Sequence, residues 1–186
     1  MEPVTLHTER LELSAPTADD VDEIFAACQD ETIQRYTTVP VPYRRSDAES
    51  FVELTAQWWA HGTETHWVIR QNGRLAGMIG IHHLVDEIGE IGFWVTPAFR
   101  GMGVLTEAGR VVADWAFSAD GLHLKRLEWR AVVGNTPSAR SARALGFRYE
   151  GVLRGAMASG RGHEHAWVAG LLPADDRTAQ PWPILD

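Results

Sequence analysis

Residues 95–108 read VTPAFRGMGVLTEA and join an arginine and two glycines to the start of a helical pattern. The first turn of a helix leaves its N–H groups without partners, and the helix dipole adds partial positive charge there. Phosphate oxygens suit that end. Gly101 and Gly103 remove the Cβ atoms that would hold a phosphate off, and glycine takes positive φ freely. Arg100 adds a fixed charge with fork geometry. Two familiar phosphate loops do not fit. A dinucleotide fingerprint needs a third glycine where Thr106 stands, and a P-loop needs Gly-Lys-Ser/Thr, whereas Lys125 is the only lysine. Taken alone, the stretch reads either as an anion cradle or as a glycine turn beside an exposed arginine.

The chain has 186 residues, which predicts one domain able to bury a core without staples. Its formal charge is −8 and its sequence pI about 5.4, which argues against nonspecific nucleic-acid binding and against an anionic membrane surface. No apolar run reaches the ~18 residues of a membrane span, and the start MEPVTLHTERLEL lacks the regions of a signal peptide. A cytoplasmic enzyme or binding protein is expected. Cys28 has no disulfide partner and lies on the apolar face of a helix pattern, so it reads as a buried thiol.

The elements that must carry the loop follow from periodicity. Residues 5–15 read as a strand. Thr17 and Asp20 form a capping box ahead of Val21, Ile24, Phe25 and Cys28 at helix spacing. Residues 31–45 read as a loop. Ser46 and Glu49 suggest a second capping box, with Phe51, Leu54 and Trp58 as the apolar stripe behind it. THWVIR, the Asn72-Gly73 turn and RLAGMIGIHHLV read as a hairpin. EIGEIGFWV is a further strand, and residues 104–118 are a helix with Leu105, Ala108, Val112 and Trp115 on its apolar stripe. LKRLEWRAVV is a strand. Thr136 reads as the cap of a short helix with Pro137 at its first position, and Gly146 ends it. FRYEGVLR and EHAWVAGLL close the pattern, and residues 173–186 read as a loosely held tail. The order is mixed α/β without regular βα alternation, which excludes a Rossmann sheet.

EIGFWVTPAFRGMGVLTEA followed by NTPSARSARALGFRYEGVLR resembles the GNAT superfamily of N-acetyltransferases. TERLEL, VPYRRSDAESFV and LAGMIGI narrow the resemblance to the branch named for ribosomal-protein N-terminal acetyltransferases. It covers nearly the whole chain, as one domain over residues 1–172. The resemblance implies a central, mostly antiparallel sheet flanked by about four helices. Acetyl-coenzyme A lies between two splayed strands of such a sheet, here EIGFWV and LEWRAVV. Backbone groups of Phe93, Trp94 and Val95 would then bind the pantetheine arm, and the amides of Arg100, Gly101, Met102, Gly103 and Val104 the pyrophosphate. Asn135 would contact the coenzyme A arm. One position departs from the family pattern: Ala98 stands where Gln or Arg is usual, three residues before the first glycine, which removes one side-chain contact.

Acetyl transfer to an amine needs a proton acceptor for the amine, a donor for the developing oxyanion and a proton for the leaving thiolate; no metal is required. Glu90, at the start of the cofactor strand, is the candidate base, directly or through water, with Glu87 and Glu150 as weaker candidates. Its other reading is a solvated strand-end carboxylate. The resemblance places Ser138, in N-x-x-S with Asn135, near the sulfur as the candidate acid; Ser141 and Tyr149 are alternatives, and simple helix capping is the plainer reading of the motif. His82-His83 and His163-x-His165 lack a Cys or carboxylate set at zinc-ligand spacing, so no metal is expected. A histidine lining the acceptor pocket, near Glu164-His165, fits better. Trp58, Trp59 and Trp67 read as core, or as a wall of that pocket or of a dimer face. The resemblance favours a peptide N-terminus as acceptor and a homodimer as assembly. A small amine acceptor, another acyl group such as succinyl, and a noncatalytic coenzyme A-binding module remain alternatives.

Overall fold

The computed structural model describes residues 1–159 and 162–185. Eight strands form one sheet in the order β1-β2-β3-β4-β5-β6-β8-β7. The strands are β1 (Leu6–His7), β2 (Leu11–Ser14), β3 (Thr65–Gln71), β4 (Arg74–Val85), β5 (Ile88–Val95), β6 (Arg126–Val132), β7 (Arg148–Ser159) and β8 (Gly162–Leu171). All neighbours are antiparallel except β5 and β6. That parallel ladder has three rungs and ends at Glu90↔Glu128, after which the two strands part. The mixed α/β sheet with two splayed strands is the one expected. Among the described residues no helix is long and apolar enough to cross a membrane.

Among the described residues five α-helices accompany the sheet: α1 (Val21–Ala27), α2 (Glu31–Tyr36), α3 (Arg45–His61), α4 (Val104–Phe117) and α5 (Thr136–Ala144). One buried cluster joins Leu13, Trp67, Ile79, Ile91, Leu127 and Trp129 to Leu105, Ala108 and Val112 of α4; another joins Val21, Ile24 and Ala48 to Val68 and Met78. Trp59, Trp67 and Trp115 meet at centroid distances of 5.1–5.9 Å, so Trp59 and Trp67 are core. Their indole nitrogens are bonded, Trp67 donating to Val4 O and Trp59 to His66 O.

Several local expectations are corrected. The first strand is split by a turn in which Thr8 N donates to Leu11 O. Residues 31–36 are helical rather than loop, because Asp30 Oδ1 accepts from both Thr32 N and Ile33 N and caps α2. Helix α3 starts one residue before Ser46, and its cap is Asp47 Oδ2 accepting from Arg44 N at 2.7 Å, not the Ser46–Glu49 pair. Leu54 is 41% exposed; Ala48, Thr55 and Trp59 are the buried positions of that helix. Asn135, not Thr136, caps α5, its Oδ1 accepting from Ser138 N. The Thr17–Asp20 box is present, Asp20 Oδ2 accepting from Thr17 N at 2.7 Å. The tail after Pro173 is tied down rather than loose: Trp182 is fully buried against Trp129 and Tyr149, and its indole donates to Phe147 O.

Candidate functional site

Where β6 leaves β5, a cavity of about 560 Å³ opens. Phe93, Trp94 and Val95 line it from β5. On its other side β5 stays paired with β4 through Ile79↔Phe93, Met78↔Trp94 and Gly77↔Val95. The β6-facing backbone edge of this segment is therefore open to an added extended chain, since a strand presents N–H and C=O groups to both sides. Gly77 supports the arrangement: a Cβ there would stand 2.4 Å from Trp94 O.

The cavity continues to Arg100, Gly101, Gly103 and Val104 at the N-terminus of α4. Gly101 and Gly103 sit at φ +74 and +75, and Gly103 is the N-cap. The glycines are thus demanded by backbone conformation as well as by access. Met102 is 54% exposed and is not part of the cavity wall; its carbonyl accepts from the Arg10 guanidinium. Arg100 points away from the amides: its Nε donates to Val95 O and its terminal nitrogen to Asp30 Oδ1 at 2.6 Å. Burial pushes the Asp30 carboxyl up, but Arg100 and the α2 amides outweigh it and hold it below the usual range.

Two contributors had gone unnoticed. Helix α2 lines the cavity with Thr32, Ile33, Tyr36 and Thr37, and the signal for it was the capping spacing Asp30-x-Thr32. Arg10, bonded to Glu107 at 2.8 Å, brings a cation to the glycine loop, and nothing local in the sequence marks it.

From α5 come Asn135, Pro137, Ser138, Arg140 and Ser141. Ser138 Oγ accepts from Trp129 Nε1 at 3.0 Å, which leaves its own hydroxyl proton to be donated. The Ser141 hydroxyl donates to Pro137 O within its helix. Tyr149 stacks on Trp182 and is a packing residue outside the cavity wall.

Glu90 is not part of this cavity. It lies three residues back along β5 from Phe93, about 10 Å of strand. It lines a second cavity of about 320 Å³ with His83, Glu128 and Arg130. Glu90 is only 8% exposed. Burial pushes its pKa up, but His82, His83 and Arg130 outweigh that and hold it below the usual carboxylate range. On the same face, Glu64 bonds His66 at 2.8 Å, and His66 stands against Trp58 and Phe51. Glu87 lies near Lys125, and Glu150 is paired with Arg126. His163 and His165 are bonded to the backbone of Gly155. Cys28 is buried, which pushes its thiol up to about 11 and removes it as a nucleophile.

Comparison with known proteins bears on this geometry. A family model described as an acetyltransferase (GNAT) domain matches residues 10–148. The uncharacterised N-acetyltransferase YoaA of Bacillus subtilis is 31% identical over 80% of this chain and 85% of its own length. Mycobacterium smegmatis RimJ, solved with a coenzyme A disulfide, superposes with a TM-score of 0.83 at 22% identity, over 93% of this chain and 90% of that one. RimL, the ribosomal L7/L12 α-N-protein acetyltransferase solved with coenzyme A, superposes with a TM-score of 0.81 at 17% identity, over 92% of this chain and 98% of that one.

Proposed function

Because the chain belongs to the GNAT acetyltransferase family, we propose that it moves an acetyl group from acetyl-coenzyme A to a primary amine at a peptide N-terminus, by direct attack in a ternary complex. One observation carries the reading: β5 and β6 part at Glu90↔Glu128 and open a cavity that runs from an unpaired strand edge to a glycine-capped helix N-terminus. The open edge of Phe93–Val95 suits the amides of a pantetheine arm. The amides from Arg100 to Val104, with the α4 dipole behind them, suit a pyrophosphate. Arg140 supplies positive charge at the cavity wall, while Arg10 is engaged by Glu107 and Arg100 by Asp30. That RimJ and RimL were solved with coenzyme A supports coenzyme A as the cofactor.

In this reading Asn135 positions the arm and Ser138, fixed by Trp129, gives its proton to the departing thiolate. Glu90 is ionised at neutral pH and draws the ammonium proton through water, since strand separates it from the cofactor cavity. A net charge of −8 favours a cationic acceptor, and the likeness to RimL, a ribosomal L7/L12 α-N-protein acetyltransferase, supports a peptide amine. The reading includes a homodimer, supported by the exposed Val152 and Leu153 on edge strand β7; light scattering that gives a mass near 20.7 kDa would refute it. The decisive experiment follows coenzyme A release from acetyl-coenzyme A with peptide amines, polyamines and small amines. Turnover with peptides is expected; release only with nonpeptide acceptors would overturn the acceptor, and no release with any amine would leave a binding module.

A further inference from the structure

Strand alternation sends neighbouring side chains to opposite faces of a sheet. His82 and His83 depart from it. The β4–β5 ladder shifts register after His82↔Glu90, and His83 takes φ +52. A nonglycine residue in that region is uncommon and carries a conformational cost. The result is that two successive imidazoles reach one carboxylate. His82 Nε2 is 3.5 Å from Glu90 Oε1, and His83 Nδ1 is 3.2 Å from Glu90 Oε2. One ring nitrogen of each histidine and a carboxylate oxygen all lie within 4.8 Å of one another.

We propose that His82, His83 and Glu90 form a binding site for a divalent first-row transition-metal ion, with zinc as the type case. The spacing fits. Ligand atoms about 2.0–2.1 Å from a tetrahedral ion stand roughly 3.4 Å apart; the two histidine–carboxylate distances run to different oxygens of Glu90, and one atom from each of the three residues comes within 4.8 Å of the others, so modest side-chain rotation closes the set on one ion. The ligand types fit as well: imidazole and carboxylate oxygen are borderline and hard donors that zinc, cobalt and nickel accept. Asp86 lines the same cavity and adds negative charge. Arg130 opposes a dication, its Nε 3.6 Å from Glu90 Oε2, but its guanidinium is held by Glu128 at 2.6 Å. The His83 side chain is 72% exposed, so the remaining coordination positions face water. The site goes beyond the transferase reading and does not rest on it. Direct acyl transfer needs no metal, and an ion here would occupy the carboxylate that the reading assigns to proton transfer.

The test uses the full chain and the metal alone, without acetyl-coenzyme A. Calorimetry with Zn²⁺ should give one ion per chain with a micromolar or tighter Kd, and Co²⁺ should develop the visible absorption of a low-symmetry site. His83→Asn keeps a residue that tolerates positive φ and removes the imidazole; Glu90→Gln removes the anionic oxygen. Each should weaken Zn²⁺ binding by at least about tenfold, the lower end for losing even an outer-shell partner. His163→Ala should bind as the parent does. Full-strength binding in a folded His83→Asn variant, loss of binding in His163→Ala, or the absence of saturable binding would each overturn the proposal.

Discussion

From Ile88 to Glu90, β5 has strand partners on both sides; from Phe93 to Val95, among the described residues, it has a strand partner only in β4. The paired half is crowded with ionisable groups. Glu90 faces His82, His83 and Arg130, and the network runs through Glu128 and Arg126 to Glu150. In the open half the β5 residues that line the cavity are the apolar Phe93, Trp94 and Val95, and the polar side chains around it, such as Asn135, Ser138 and Arg140, come from other elements. The difference has a physical cause. Where the ladder is complete, the backbone needs nothing further and side chains can carry charge against one another. Where the ladder is open, an incoming ligand must satisfy the backbone itself, and a charged wall would have to be desolvated to let it in.

Breaking the charged half should give the largest effect. Glu90→Gln is expected to lower turnover by roughly 10²-fold at neutral pH, the low end for general base catalysis, with coenzyme A affinity nearly unchanged. The loss should shrink as pH rises and the amine deprotonates by itself. A pH-independent loss would remove Glu90 from proton transfer. Breaking the open half is the next largest effect. Gly103→Val puts a branched residue at φ +75 beside the proposed pyrophosphate position; a loop that relaxes to escape the roughly 1–2 kcal/mol cost of a left-handed residue must return to this conformation to bind, which should weaken coenzyme A binding by about tenfold. Calorimetry on a folded variant checks it, and unchanged affinity would displace the cofactor from this loop.

Ser138→Ala sharpens the comparison, because it acts in the open half without touching the backbone edge. Turnover should fall severalfold with no recovery at high pH, since thiolate departure rather than amine ionisation is affected; recovery at high pH would contradict the assignment. The smallest expected effect concerns stability in acid. Glu90 and Glu128 are both held below the ordinary glutamate value of 4.5, burial being outweighed by His82 and His83 for one and by Arg130 and Arg126 for the other. Groups depressed in the folded state contribute stability that is complete above that value and is lost as pH falls below it. The melting temperature should therefore drop below about pH 4.5, and Glu90→Gln should flatten the drop. An identical acid profile for the variant would show that the paired half is electrostatically inert.

Much of this was legible in the residues. Apolar periodicity located α4 and the long strands, and Arg100-Gly101-Met102-Gly103 marked the helix N-terminus, because these signals are local. What failed was either too short or too distant. Helix α2 has six residues and lacks an apolar stripe, so only its Asp30 cap announces it. Arg44 and Asp47 displaced the Ser46–Glu49 pair because two overlapping capping patterns two residues apart cannot be ranked from sequence. Arg100 looked free to meet a phosphate, yet Asp30, seventy residues earlier, holds it. The histidine pair seemed to lack a carboxylate; a register shift brings Glu90 to both rings.

The sheet order carries one more consequence. Strand β8 lies between β6 and β7, although β7 precedes it in the chain. During synthesis, β7 leaves the ribosome with no sheet edge of its own to join, because the strand that connects it to β6 does not yet exist. The two pair with each other, β8 alone joins them to β6, and Trp182, further along the chain, packs against Trp129 and Tyr149. A nascent chain stalled before residue 162 would expose β6 as a raw edge. Such arrested chains should therefore be bound by chaperones that recognise open strands, whereas chains released at full length should not.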